Sequence, residues 1–205
     1  MFDLDISWDE YHELIELLAD RIFQSEYEFN QIICLARGGL RVGDIFSRIF
    51  DRPLAILAAS SYGGDGDRQR GKLSIASQIT MTTDRLGDRV LLVDDLVDSG
   101  VTLQQTTMWL RDVYPEIQEL KTAVLWYKAC SVYIPDHYVS YLPNNPWIHQ
   151  PFEKYDNYKL SIADRNCPWF WARIASALAR STLVQCISKA TLTDRPLASN
   201  NSLAA

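Results

Sequence analysis

The stretch RVLLVDDLVDSGVTL, residues 89–103, places three carboxylates directly ahead of a turn suited to binding an anion. An apolar run from Val90 to Val93 ends in Asp94 and Asp95, and Asp98 follows. Ser99, Gly100, Val101 and Thr102 come next. Successive backbone N–H groups at a turn and helix start form an anion cradle, which the helix dipole strengthens. Gly100 allows close backbone approach, while Ser99 and Thr102 add hydroxyl donors. A phosphate monoester suits such a cradle. Three carboxylates beside it make sense when the same ligand also carries sugar hydroxyls and a magnesium ion. Carboxylates accept hydrogen bonds from vicinal hydroxyls and hold magnesium directly or through its waters. They also stabilise positive charge developing on a sugar carbon.

An apolar strand ending in two acids occurs in receiver domains and nucleotide triphosphatases as well. The sequence lacks the G-x-x-x-x-G-K-[ST] loop of the latter. A receiver places its acids near the first strand and its phosphoacceptor on a later one. The glycine and hydroxyl loop directly after the acids favours phosphate binding. A ligand combining these features is 5-phosphoribosyl 1-pyrophosphate (PRPP).

The elements that must position these groups can be read from spacing. SWDEYHELIELLADRIF opens with Ser7 and Glu10, the pattern of a capping box. Tyr11, Leu14, Ile15, Leu18 and Ile22 then share one helical stripe. QIICLARGG reads as a buried strand ending in glycines, and LRVGDIFSRIFD as a helix. PLAILAASSY and KLSIASQITM read as strands around a polar connection. RVLLVDD is a strand, TLQQTTMWLRDVYP a helix stopped by Pro115, and LKTAVLWYK a further strand. This alternation predicts an α/β fold with a mostly parallel sheet flanked by helices. Ligands bind beyond the carboxyl ends of such strands, where Asp94 and Asp95 fall.

Prolines and aromatics dominate after Cys130, which predicts a small irregular hood, about residues 129–157, over one end of the sheet. Helical spacing returns over about 168–187, with Pro168 in its first turn, before a polar tail. The expected division is a domain over 1–157 and an extension over 158–205.

The 205 residues suit one domain with a sizeable core. A net charge of -6 argues against a nucleic-acid partner, because phosphate neutralisation needs a basic face. Cys34, Cys130, Cys167 and Cys186 show no metal-ligand spacing, so free thiols in a reducing, cytoplasmic setting are expected. The N-terminal MFDLDISWDE has no apolar signal region, and no run is long enough to span a membrane.

VLLVDDLVDSGVTL resembles the PRPP-binding signature of type I phosphoribosyltransferases, closest to the xanthine-guanine and hypoxanthine-guanine (6-oxopurine) members. LARGGLRVGD resembles their pyrophosphate-contacting loop, SSYGGDGDRQRGKL their mobile catalytic loop, and PWIHQPFE their purine-stacking segment. The four stretches occur in the expected order, and the resemblance covers roughly residues 5–157.

The resemblance implies roles for particular residues. Asp94 and Asp95 would face the ribose hydroxyls and the magnesium shell, through water. Asp98 would lie near purine N7 as a general base or proton partner, and Asp98 to Thr102, with Ser99, Gly100 and Val101, would wrap the 5′-phosphate. Arg37 and Gly38 would contact pyrophosphate, with a cis peptide at Ala36–Arg37. Ser61, Tyr62 and Arg70 would form a lid over pyrophosphate, with Arg68 the alternative lid arginine. Lys128 would donate to purine O6, Trp147 would stack on the base, and the Ile148 backbone would read the 2-position. An ammonium donates to a 6-oxo group and opposes a 6-amino group, so 6-oxopurines are expected over adenine.

Taken singly, Lys128 is also compatible with a surface lysine, Trp147 with a core residue and the lid with a solvated hairpin tip. His149 reads as structural or solvent-facing. Ser99 departs from the threonine common in the family but keeps the hydroxyl. The segment 158–205 has no counterpart in the resemblance. Packing is its default reading, with an oligomer interface or a membrane surface as alternatives for its arginines and tryptophans. The expected activity is transfer of the phosphoribosyl group of PRPP to a 6-oxopurine in purine salvage, with magnesium, by a homodimer or homotetramer. A PRPP-sensing regulator without catalysis, or a transferase for another base such as a pyrimidine, is the alternative.

Overall fold

In a computed structural model of the chain, residues 3–61, 73–156 and 175–176 are described. The chain divides into two units, Met1–Glu153 and Lys154–Ala205, and the elements below belong to the first. Tyr62, Arg68 and Arg70, and most of the expected C-terminal helix, lie outside the described residues.

Strand β1 (Leu4–Asp5) leads into helix α1 (Trp8–Gln24). The capping box forms as the sequence predicts. Ser7 Oγ accepts from the Glu10 amide at 3.2 Å, and Glu10 Oε2 accepts from the Ser7 amide at 2.8 Å. These contacts satisfy donors that a helix start leaves orphaned, and they also hold the Glu10 carboxyl below its usual pKa. Strand β2 (Gln31–Ala36), helix α2 (Leu40–Ile49), strand β3 (Leu54–Ser61) and strand β4 (Leu73–Ile75) follow. Then come strands β5 (Arg89–Val93) and β6 (Leu96–Val97), helix α3 (Val101–Val113) and strand β7 (Glu119–Lys128). Strands β8 (His137–Leu142) and β9 (Ile148–His149) complete the unit.

Strands β3, β2, β5 and β7 are hydrogen-bonded in that order and all run parallel, while β4 joins β3 antiparallel. Successive residues of the central strands bury to opposite faces, as a strand period of two requires. Ile32, Cys34, Leu91, Val93, Ala123 and Leu125 pack with Tyr11, Ile15 and Leu18 of α1 and Val42 and Phe46 of α2. Ile33, Leu35, Val90, Leu92 and Val124 pack with Leu103 and Leu110 of α3. Helices therefore cover both faces, which explains the near-continuous apolar runs. Each fully buried Leu or Ile contributes roughly 1.5–3 kcal/mol relative to exposure.

Two features depart from the expected irregular hood. First, β8 is a parallel partner of β7, so the region supplies a strand of the main sheet. Asp136 ties its start to β7, accepting from the Thr122 amide and hydroxyl, both at 2.8 Å. Second, β9 pairs in parallel with β1, matching Leu4 to Ile148 and Asp5 to His149. The N-terminal residues thus brace the segment that carries Trp147. KLSIASQITM is also less regular than expected: among its described residues only Leu73–Ile75 form a strand, followed by an isolated bridge from Ile56 to Thr80.

Candidate active site

Parallel strands carry their carboxyl ends to one edge of the sheet. Ala36 ends β2, Ser61 ends β3, Val93 ends β5 and Lys128 ends β7. The candidate residues that follow those ends are therefore gathered by topology, although long stretches of chain separate them.

Asp94 and Asp95 interrupt the ladder between β5 and β6. Val93 pairs with Ala123 before the break and Leu96 with Trp126 after it, so the register does not slip. The Asp95 carbonyl accepts from the amides of Leu125 (3.0 Å) and Trp126 (3.2 Å). Asp94 Oδ1 accepts from the Asp95 amide at 2.9 Å. Asp95 is buried; its Oδ1 accepts from the Leu96 amide at 2.8 Å and its Oδ2 from Gln150 Nε2 at 2.6 Å. Burial, then the neighbouring Asp95 charge, push the Asp94 carboxyl well above the usual carboxylate range. Two close, poorly solvated carboxylates fit a cation. No cluster of three or more acidic, histidine or cysteine ligands exists among the described residues. Such a pair suits magnesium, which commonly binds through one or two carboxylates plus waters and substrate phosphates.

Gly100 precedes α3 in the left-handed region, with φ 78°, and no side chain caps the helix. The first amides of α3 are therefore not occupied by an N-cap side chain, which suits an anion. The Ser99 carbonyl accepts from the Val132 amide at 2.9 Å, so the segment after β7 braces this turn. Ser99, Val101 and Thr102 are half-buried beside it.

A second uncapped helix start follows β2. The Ala36–Arg37 peptide is cis, as the resemblance implies. Arg37 is exposed, and Gly39 is the N-cap residue of α2, with no side-chain cap. A Cβ on Gly38 would run into the Asp95 carboxylate. The absent side chain therefore lets this loop lie against that acid.

Lys128 is buried, only 4% exposed, and its Nζ is 3.3 Å from Asp98 Oδ1. It also lies 5.8 Å from the centre of the Trp147 ring. Lys128 is thus no surface lysine, and Trp147, 58% exposed, is no core residue. Ile148 is buried. The β1 ladder uses the carbonyls of Trp147 (2.8 Å from the Leu4 amide) and His149 (3.0 Å from the Ile6 amide). Strand alternation therefore turns the Ile148 peptide groups away from β1. His149 is exposed, 3.4 Å from Asp3. Cys130 Sγ lies 3.6 Å from Asp98 Oδ1; burial, then the Asp98 charge, raise its thiol pKa. The Ser61 backbone ends β3 opposite Leu73.

Sequence reasoning missed Gln150 as a member of this site. Its signal was weak, a polar residue between His149 and Pro151 in an aromatic stretch. A groove of about 1020 Å³ lies elsewhere, lined by Phe23, Tyr27, Phe29, Ile49 and Phe50, and shares no residue with the site.

The fold and these groups define an α/β protein that gathers its acids, its uncapped helix starts and one buried ammonium at one edge of a parallel sheet. Residues 7–157 match the phosphoribosyl transferase domain family. Over 154 residues the chain is 34% identical to a xanthine-guanine phosphoribosyltransferase of Idiomarina loihiensis, covering 75% of this chain and 88% of that one. A purine phosphoribosyltransferase structure from Pyrococcus horikoshii is similar with a TM-score of 0.61 at 30% identity, covering 74% of this chain and 94% of that one. The Helicobacter pylori xanthine-guanine-hypoxanthine phosphoribosyltransferase gives 0.62 at 26% identity, covering 76% and 96%. The chain belongs to the type I phosphoribosyltransferase family. No helix among the described residues is long and apolar enough to cross a membrane.

Proposed function

We propose that the protein transfers the 5-phosphoribosyl group of PRPP to a 6-oxopurine (xanthine, guanine or hypoxanthine), releasing pyrophosphate, in purine salvage. The observation that carries the reading is the buried Lys128 ammonium, 3.3 Å from Asp98 and beside exposed Trp147. A buried ammonium requires partners. Lysine has three N–H donors, so it can keep Asp98 and still donate to a 6-oxo group. A 6-amino group there would leave a polar mismatch.

In this reading the α3 amides and the Ser99 and Thr102 hydroxyls hold the 5′-phosphate. Asp94 and Asp95 accept the ribose hydroxyls, while Arg37 and the Gly38 backbone hold pyrophosphate. Trp147 stacks on the base and the Ile148 peptide groups read its 2-position. As N9 bonds to ribose C1, the C1–oxygen bond breaks and its electron pair leaves with pyrophosphate. The purine N7 proton passes to Asp98. Asp94 and Asp95 would hold magnesium, which would supply positive charge that stabilises the leaving pyrophosphate. Ser61, Tyr62 and Arg70 or Arg68 are assigned to the lid on resemblance, since water must be excluded for transfer to outrun hydrolysis.

The test is pyrophosphate release from PRPP and magnesium with hypoxanthine, guanine, xanthine, adenine, uracil or orotate. Turnover confined to 6-oxopurines is expected. Preference for adenine would refute the role of Lys128. PRPP binding without turnover on any base would replace the enzyme by a PRPP sensor.

A further inference from the structure

Gln150 is 7% exposed, and its side chain reaches Asp95 from far along the chain. Its Nε2 donates to Asp95 Oδ2 at 2.6 Å, while Oδ1 accepts from the Leu96 amide at 2.8 Å. Each carboxylate oxygen thus has one donor from the protein, which blocks rotation of the group. The opposite packing neighbour is Gly38, where any Cβ would overlap the carboxylate. Gln150 Oε1 is buried and has no hydrogen-bond partner among the described residues. Leaving such an acceptor bare is unfavourable by about 1–3 kcal/mol. Gln150 acts on the acid through its Nε2 donor.

We propose that Gln150 is a positioning residue: it aims the Asp95 carboxylate at the sugar. This deepens the reading of Asp95 as a PRPP-binding acid, and rests on it. A carboxylate oxygen has two lone-pair directions. With one occupied on each oxygen, the two left over point in set directions, ready for a hydroxyl or a magnesium-bound water. Gln150 also lies just beyond Trp147 and Ile148 on the segment braced by β1. Hydrogen bonds to charged groups are among the stronger ones, and preorganisation removes a cost that binding would otherwise meet.

The experiment compares wild type with Gln150→Met, which keeps volume and loses the donor, and Gln150→His, which keeps an N–H at about the same reach. Magnesium–PRPP binding is measured by calorimetry without base, alongside steady-state KM values for both substrates. The expected result is PRPP affinity weakened about ten- to a hundredfold in Gln150→Met. Gln150→His should recover most of it, and the base KM should stay within about twofold of wild type. A merely structural role would lower melting temperature and affect both KM values alike, without rescue by histidine; that pattern overturns the proposal. Unaltered PRPP affinity in Gln150→Met overturns it too, while leaving the proposed function intact. Absence of magnesium–PRPP binding by wild type overturns the functional reading and this inference together.

Discussion

The buried ammonium of Lys128 lies 3.3 Å from the carboxylate of Asp98, whose side chain is 57% exposed. One end of the pair is dry and the other is open to whatever enters the site. Lys128→Met keeps the volume and removes the charge, and Asp98 stays hydrated, so the fold should survive. Loss of a donor to the 6-oxo group should lower kcat/KM for 6-oxopurines by about 5- to 150-fold, from ~1–3 kcal/mol. Discrimination against adenine should fall in parallel. Side-by-side kinetics with hypoxanthine and adenine check this; an unchanged ratio would remove Lys128 from base selection.

Asp98 differs from its two acidic neighbours in facing outward, with Lys128 and Cys130 against its carboxylate. Asp98→Ala should retain PRPP binding and lose about 10²–10⁴-fold in kcat, the range for a general base. Calorimetry and single-turnover kinetics separate the two effects. Equal losses in binding and rate would reassign the residue to ligand binding.

Trp147 is 58% exposed, so truncating it removes little from the core. Trp147→Ala should raise the base KM by about 5- to 150-fold, from a stacking contribution of ~1–3 kcal/mol. Melting temperature and PRPP affinity should change little. Steady-state kinetics with varied base, plus a thermal melt, test both halves.

Gly100 has φ 78°, and an added Cβ would overlap Ser131 Oγ and stand 2.8 Å from the Tyr133 amide nitrogen. Gly100→Ala therefore faces both a disfavoured backbone and a collision with the segment that braces the turn. A cost of about 1–3 kcal/mol should lower the melting temperature by roughly 2–10 °C. PRPP binding should weaken with it. A variant with wild-type stability and affinity would show that the turn relaxes freely.

His137 begins β8, stacks on Tyr27, and has a buried Nε2 with no hydrogen-bond partner among the described residues. Burial lowers its pKa below the usual 6.5; Lys121 acts in the same direction and Asp136 opposes it. As pH falls, the unfolded chain takes up this proton before the folded one. The stability contributed by the neutral ring is complete above about pH 6.5 and declines as pH falls through and below that value. His137→Gln should flatten this part of the profile. Urea midpoints across this range give the answer, and an unchanged slope would assign the effect to other groups.

Much of this protein follows from local pattern. The capping box, the buried runs of β2, β5 and β7 and the acid–glycine–hydroxyl loop are short-range features, set by hydrogen bonding and side-chain period within a few residues. The resemblance over 5–157 also carried the family and the cis peptide. Strand β8 was harder to read. It buries only part of one face and is broken by polar residues, because among the described strands it pairs with β7 alone.

What the sequence determined by itself is the kind and order of the elements and the chemistry each strand end carries. Only the tertiary structure decided which of those groups meet. Parallel pairing brought Arg37, Asp94 and Lys128 to one edge, and β1 fixed the Trp147 segment there. It also buried Gln150 against Asp95. Local propensity is a matter of neighbours along the chain, whereas a buried polar contact depends on which distant surface excludes water from it. No spacing rule reports that the amide at 150 and the acid at 95 will share the same dry space.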